Sequence, residues 1–326
     1  MSFILNALRQ VLPPRPCFTE DNVPDLTGRV CLVTGANTGV GKEVAQVLYS
    51  KNATVWIAAR TEEKARAAIA AIRQQHPSSG GALKFLKLDL ADLATIAGSA
   101  KEFLAAETRL DLLFNNAGVM TPPEGSKTKQ GYELQLGTNC LGPFLFTKHL
   151  TPLLQSTAKS APRDSVRVVW VSSSAADALS PWNGYEPDNL EYQKPRGNLF
   201  KYGVSKAGNY YYATEFARRH KLDGVISIPL NPGNLHSELD RTSAWWFYGA
   251  RVFSCYPPIN GAYTELFAGF SPEITIEETG TWVVPWGRFA PIRSDLLKGS
   301  LPESEGGSGM AEKFWAWSED QTSPYF

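Results

Sequence analysis

The sequence predicts an α/β domain built on a doubly wound parallel sheet. Short, continuously apolar segments such as 30–33 and 166–171 alternate along the chain with longer segments of helical periodicity. Strands that are apolar on both faces are buried on both sides, and the helices between them cover the two faces of a parallel sheet. A glycine-rich turn after the first strand supports the same class, because doubly wound sheets of the Rossmann type bind ligands at such turns.

The apolar pattern places each element along the chain. In the segment 62–75, Ala65, Ala68, Ile69 and Ile72 share one face, as in a helix that packs on a sheet. The same reasoning predicts strands at 30–33, 54–58, 84–88, 110–114, 166–171 and 225–230, and helices near 41–50, 62–75, 92–106, 131–156 and 201–220.

The alternation fades beyond about residue 235, where Trp, Pro and Gly are frequent. This part cannot form a second sheet of its own, so we expect one domain over 1–326. Residues 1–27 form an N-terminal arm, 28–235 the dinucleotide-binding and catalytic core, and 236–326 a substrate lid, a final strand at the sheet edge and a tail.

Charge and cysteine content limit the functional classes. The chain of 326 residues has 32 basic and 32 acidic side chains, so nucleic acid is not an expected partner. The four cysteines are scattered without a C-x-x-C pair, which favours free thiols in a reducing compartment such as the cytoplasm. The four histidines show no ligand spacing, and no metal is expected.

No apolar run reaches the roughly 18 residues that span a bilayer. The N-terminus nevertheless has an apolar stripe formed by Phe3, Ile4, Leu5, Leu8 and Leu12. Packing of this stripe on the domain is favoured, and peripheral contact with an intracellular membrane stays open.

The glycine-rich turn indicates an anion site between the first strand and the first helix. Gly35 allows a sharp turn, Gly39 lets the backbone approach a pyrophosphate, and Gly41 allows close packing of helix and strand. The spacing is G-x-x-x-G-x-G, which differs from the usual dinucleotide fingerprint. It also differs from a P-loop, and Glu43 replaces the magnesium-binding hydroxyl, so hydrolysis of a nucleoside triphosphate is disfavoured.

The end of the second strand indicates which dinucleotide is bound. An NAD site needs a carboxylate there for the ribose 2′-hydroxyl, whereas this chain has Ala59 and then Arg60. A guanidinium suits the 2′-phosphate of NADP. NADP(H) is therefore the expected cofactor, with Asn37 and Lys42 as further candidates for phosphate contact.

Tyr202 and Lys206 are the candidate catalytic pair. They lie four residues apart in a predicted helix and project from one face. A nearby ammonium stabilises a phenolate and brings proton transfer into the working pH range. Ser172, Ser173 and Ser174 follow a buried strand and place hydroxyls at the carboxyl edge of the sheet, where one of them can donate to a substrate carbonyl.

Together, these motifs resemble those of the short-chain dehydrogenase/reductases, and the chain is similar to the fungal members related to retinol dehydrogenases. The resemblance covers about 28–240. It implies a catalytic tetrad of Asn139, Ser173, Tyr202 and Lys206, with Asn139 holding a proton-relay water. The residues implied to bind cofactor are Gly35, Asn37, Thr38, Gly39, Val40, Gly41, Arg60, Asp89, Leu90, Asn116, Ala117, Gly118, Tyr202, Lys206, Pro232, Gly233, Leu235 and Ser237.

The implied reaction interconverts a ketone or aldehyde with an alcohol by hydride transfer, with Tyr202 as general acid or base. The aromatic side chains of Trp182, Tyr185 and the segment 245–248 can line an apolar pocket, which favours a hydrophobic substrate, or can serve for packing alone. Two alternatives stay open, a non-catalytic NADP-binding regulatory protein and a nucleotide-sugar epimerase or dehydratase. A homodimer is compatible with the sequence.

Overall fold

The computed structural model describes residues 10–236 and 255–326. Within them, eight strands form one sheet in the order β3-β2-β1-β4-β5-β6-β7-β8. The pairs from β3 to β7 are parallel, and β8 is antiparallel to β7. The strands are β1 Val30–Thr34, β2 Thr54–Ala59, β3 Ala82–Lys87, β4 Leu112–Asn115, β5 Arg167–Val171, β6 Ile226–Leu230, β7 Val283–Val284 and β8 Arg288–Phe289. The predicted doubly wound sheet is confirmed.

Helices cover both faces of this sheet. The α-helices are α1 Gly39–Ser50, α2 Glu62–Gln75, α3 Leu93–Ala106, α4 Gly142–Ala158, α5 Ala175–Ala178, α6 Asn198–His220, α7 Pro258–Phe270, α8 Ser294–Ser300 and α9 Met310–Thr322. Short 3₁₀ turns occupy Glu20–Asn22, Pro187–Asn189, Ile276–Glu278, Glu303–Glu305 and Ser323–Tyr325. The order of the strands reverses between β1 and β4, which opens a crevice at their carboxyl ends.

The helix expected over 131–156 is interrupted. A single helical turn at Leu134–Leu136 leads into a π-helical turn at Gly137–Leu141, and only then does α4 begin. A Cβ at Gly142 would lie 2.4 Å from the carbonyl oxygen of Leu90. Glycine therefore lets the start of α4 pack against the backbone that follows β3, and apolar periodicity alone does not reveal the extra residue of a π turn.

Side chains of successive strand residues enter opposite cores. Leu32 and Trp170 pack beneath α3, α4 and α6, whereas Val33 and Val169 belong to the core shared with α1, α2 and α7. All four side chains are at most 1% exposed. This two-sided burial explains why the strands read as continuous apolar runs in the sequence.

The C-terminal segment packs on the sheet and on α6. The Tyr212 and Phe314 rings lie 5.0 Å apart, and the Tyr212 hydroxyl lies 2.6 Å from that of Ser318. Tyr185 is 4% exposed, and its hydroxyl donates to the carbonyl oxygen of Met310. Tyr185 thus packs in the core. It does not line an apolar pocket, which was the other possibility for this side chain.

Trp182 is 69% exposed, so its indole is not enclosed in a pocket among the described residues. The aromatic residues Trp245, Trp246, Phe247 and Tyr248 lie outside the described residues. Of the helices that the structure describes, none combines the length and apolarity needed to cross a bilayer.

Candidate active site

The turn between β1 and α1 depends on three glycines for two reasons. Gly35 and Gly39 have φ values of 71° and 57°, in the left-handed region that glycine adopts without strain. A Cβ at Gly41 would lie 2.4 Å from the Nδ2 atom of Asn116. The turn is therefore packed tightly against the end of β4, and any side chain at residue 41 would displace Asn116.

Asn116 and Ala117 fasten the end of β4 to the end of β1. The Asn116 amide donates to the carbonyl oxygen of Thr34 at 2.8 Å, and the backbone N–H of Ala117 donates to the Thr34 hydroxyl at 3.0 Å. These two bonds hold the walls of the crevice at a fixed separation.

A cavity of about 240 Å³ runs along this crevice. At one end it meets Arg60 and Lys64, two cations that follow β2. Asp89 also lines it, with its carboxylate accepting a hydrogen bond from the Ala91 N–H. The predicted cofactor residues that line it are Gly35, Asn37, Thr38, Gly39, Val40, Arg60, Asp89, Leu90, Asn116, Ala117 and Gly118.

Two details differ from the expectation for the phosphate end. Lys42 is not among the residues that line the cavity, whereas Lys64 is. Lys64 lies four residues after Arg60, in the first turn of α2. Arg60 precedes the helix cap, and both cations line the same cavity. A second cation just inside the helix that follows β2 is the signal that sequence reasoning missed.

A second cavity of about 140 Å³ shares Val40, Asn116, Gly118 and Val119 with the first. The shared walls make the two cavities parts of one crevice. The second is completed by Met120, Val171, Ser172, Ser173, Tyr202, Lys206, Pro232, Gly233, Asn234 and Leu235. The predicted catalytic residues Ser173, Tyr202 and Lys206 therefore meet around one space.

Lys206 is a buried ammonium at the base of this second cavity. Its Nζ atom donates to the carbonyl oxygen of Val171 at 2.9 Å and lies 5.7 Å from the centre of the Tyr202 ring. Burial lowers the pKa of Lys206 to about 8, and the carboxyl of Glu265 acts in the opposite direction. The charge on Lys206 is thus sensitive to its surroundings near neutral pH.

The three serines after β5 have different environments. The Ser172 hydroxyl donates to the carbonyl oxygen of Lys206 at 2.6 Å and is 1% exposed. The Ser173 hydroxyl accepts the N–H of Ala175 and keeps its own proton for a further acceptor. Ser172 and Ser173 line the second cavity, and Ser174 is not among its lining residues.

Asn139 lies in the π-helical turn, behind the cavity wall. Its side chain accepts from the N–H of Val119 at 2.8 Å and donates to the carbonyl oxygen of the same residue at 2.9 Å. Its amide also donates to the Ser205 hydroxyl. The backbone carbonyl of Asn139 accepts from the Asn209 amide at 2.7 Å. Asn139 therefore fixes the backbone of Val119, which lines both cavities.

Among the described residues, one predicted cofactor residue, Gly41, lines neither cavity. It serves the packing of α1, as described above, whereas Ser237 lies outside the described residues. Within the described ranges, no group of three His, Cys, Asp or Glu side chains is arranged to hold a metal ion.

The family model for short chain dehydrogenases matches residues 29–185. A short-chain dehydrogenase/reductase of the fungus Phomopsis amygdali is 54% identical over 98% of this chain and 97% of its own length. Another, from Neocamarosporium betae, is 45% identical over 97% of this chain and 92% of its own length.

Solved structures share the architecture. An uncharacterised protein from Mycobacterium paratuberculosis superimposes with a TM-score of 0.67 at 27% identity, over 94% of this chain and 97% of that one. The Pseudomonas aeruginosa RhlG/NADP active-site complex gives a TM-score of 0.61 at 24% identity, over 83% of this chain and 97% of that one.

Proposed function

Because the chain belongs to the short-chain dehydrogenase/reductase family of oxidoreductases, we propose that it interconverts a hydrophobic ketone or aldehyde with the corresponding alcohol, using NADP(H). The observation that carries this proposal is the meeting of Ser173, Tyr202 and Lys206 around one cavity that opens into the glycine-lined crevice. A hydride donor in the crevice and a carbonyl in the second cavity would lie side by side.

A nicotinamide bound in the crevice would supply the hydride for the carbonyl carbon. Tyr202 gives its phenolic proton to the developing alkoxide, and the Ser173 hydroxyl donates a hydrogen bond to the same oxygen. The ammonium of Lys206 stabilises the phenolate that Tyr202 becomes. In the oxidation direction, the phenolate of Tyr202 takes the proton from the alcohol.

Asn139 is proposed to support this proton transfer from behind the wall. The predicted relay water stays a prediction. The backbone carbonyl of Asn139 accepts from the Asn209 amide and has a second lone pair. The side chain of Asn139 bonds both the backbone N–H and the carbonyl oxygen of Val119. That contact supports a positioning role for Asn139.

The choice of NADP(H) is supported by charge at the far end of the first cavity. Arg60 and Lys64 provide two cations at the position where the adenosine ribose of a dinucleotide is expected. The RhlG structure, which has the same fold, is an NADP complex. The glycine turn, with its tight backbone and helix start, fits the intervening pyrophosphate.

A hydrophobic substrate is supported by the walls of the second cavity. Beside the polar catalytic groups, these walls are formed by the apolar side chains of Val40, Val119, Met120, Val171 and Leu235. Such walls favour an apolar carbonyl compound over a nucleotide sugar, whose hydroxyls would need polar partners.

The test is NADPH oxidation with a panel of apolar ketones and aldehydes, with nucleotide sugars as a separate arm. Tyr202→Phe should lower turnover about 100-fold or more, because general acid catalysis is lost, while NADPH binding is retained. Tyr210→Phe is the matched control, since its hydroxyl lies in the core, 3.4 Å from that of Ser300. A Tyr202→Phe enzyme with near wild-type turnover would refute the assigned chemistry, and NADPH binding without any turnover would favour a regulatory protein.

A further inference from the structure

The N-terminal arm reaches the carboxyl edge of the sheet through one buried amide, that of Gln10. The Gln10 side chain is 5% exposed, and its oxygen accepts from the Nδ2 atom of Asn231 at 2.9 Å. Its amide group also hydrogen-bonds the carboxylate of Asp177. Gln10 therefore bridges two loops that follow different strands, β5 and β6.

The bond to Asn231 determines how the turn after β6 is held. Asn231 is 1% exposed, and its Oδ1 atom accepts the backbone N–H of Gly233 at 3.0 Å. Gly233 has a φ of 94° and lines the second cavity beside Pro232. The Asn231 side chain thus donates to Gln10 through its Nδ2 atom and accepts from Gly233 through its Oδ1 atom. Gln10 therefore fixes the orientation of the Asn231 side chain, which in turn holds the backbone at Gly233.

The bond to Asp177 acts on the loop after β5. Asp177 lies in α5, whose first residue, Ala175, donates its N–H to the Ser173 hydroxyl. The Asp177 carboxylate also accepts the N–H of Arg293 at 2.9 Å. The charged groups that face this carboxylate are thus Arg293 and, less directly, Asp295.

We propose that Gln10 is a positioning residue of the active site, and that the N-terminal arm is thereby a structural part of the carbonyl-binding cavity. The inference rests on the proposed function for its catalytic consequence. One amide ties the loop that carries Ser173 to the turn that carries Pro232 and Gly233, so the distance between two cavity walls depends on a residue far from both in sequence.

Gln10→Met tests this, because methionine has a similar volume and no hydrogen-bonding group for either partner. We expect kcat/KM for the carbonyl substrate to fall about tenfold, as for the loss of a buried hydrogen bond. The melting temperature should fall as well, because the buried Asn231 and Asp177 each lose a partner. Leu12→Ala, at a side chain that is 62% exposed on the same arm, is the matched control.

The pH dependence of Gln10→Glu activity distinguishes a positioning role from a merely structural one. The new carboxyl can still accept from Asn231, but it faces Asp177, and the two share a hydrogen bond only when one of them holds a proton. Activity relative to wild type should therefore recover as the pH is lowered. A loss that does not depend on pH would overturn the assigned bridge.

Hydrogen exchange separates this inference from the proposed reaction, because it needs no turnover. In Gln10→Met, the amide of Gly233 should exchange about tenfold faster than in wild type, since the group that holds its acceptor is lost. Unchanged exchange at Gly233 and unchanged kcat/KM would each overturn the proposal. If wild type reduces no carbonyl while the exchange changes as expected, the proposed reaction fails and the positioning by Gln10 stands.

Discussion

Glu265 should make the protein less stable as the pH rises towards 8. This carboxyl lies in α7, is fully buried, and has no hydrogen-bond partner for either oxygen among the described residues. Burial raises its pKa from an ordinary value of 4.5 to about 8, although the nearby Lys206 ammonium acts in the opposite direction. We therefore predict that Glu265→Gln, which leaves a neutral side chain of the same shape at every pH, stabilises the fold.

The sign and size follow from proton binding. Between pH 4.5 and 8, the folded state keeps a proton on Glu265 that the unfolded chain releases, so stability falls with rising pH. The slope for one proton is about 1.4 kcal/mol per pH unit, and the whole effect is about 5 kcal/mol. The contribution is fully present below pH 4.5, decreases through this window and is lost above pH 8.

The assay is urea unfolding of wild type and Glu265→Gln at pH 5.5, 6.5 and 7.5. The advantage of the variant should grow by about 1.4 kcal/mol for each pH unit. Glu273→Gln, at an exposed position after the same helix, is the control and should show no such trend. If the difference between Glu265→Gln and wild type is the same at all three pH values, Glu265 is already ionised in the fold and the reasoning is refuted.

Two further substitutions test the crevice. Arg60→Glu should raise the Kd for NADPH by about tenfold or more, since a charge-assisted hydrogen bond is worth about 1.5–3 kcal/mol. The Kd for NADH should change less. If binding titrations show equal effects on both cofactors, Arg60 does not bind the 2′-phosphate. Gly41→Ala should destabilise the fold by about 1–3 kcal/mol through overpacking and should weaken NADPH binding. The reason is that its Cβ would lie 2.4 Å from the Asn116 side chain. A variant as stable in urea as the wild type would contradict the observed packing.

The sheet can be predicted from the sequence because its strands are buried on both faces. Pairs such as Val168 and Val169 enter different cores, so each strand reads as an unbroken apolar run. The glycine turn is equally predictable, since Gly35 and Gly39 adopt backbone angles that other residues avoid. In both cases the constraint acts between residues that are close in sequence.

Contacts between distant segments cannot be predicted in the same way. The bond between Gln10 and Asn231 joins residues 221 positions apart, and neither residue is marked by any periodicity. Glu265 lies within an apolar helix, where a sequence pattern does not reveal that both of its oxygens lack partners among the described residues. The π-helical turn at Gly137–Leu141 also escapes prediction, because a single added residue barely alters the spacing of apolar side chains.

That turn sets the helical phase of the chain on either side of it. A π turn takes up one extra residue, and if the same residues were wound as an ordinary α-helix, the preceding turn would be rotated by about 100° relative to α4. Gln135 would then point away from the backbone N–H of Thr121 and the carbonyl oxygen of Asn198, which it now bridges. The extra residue of the π turn thus determines how this helix aligns two loops.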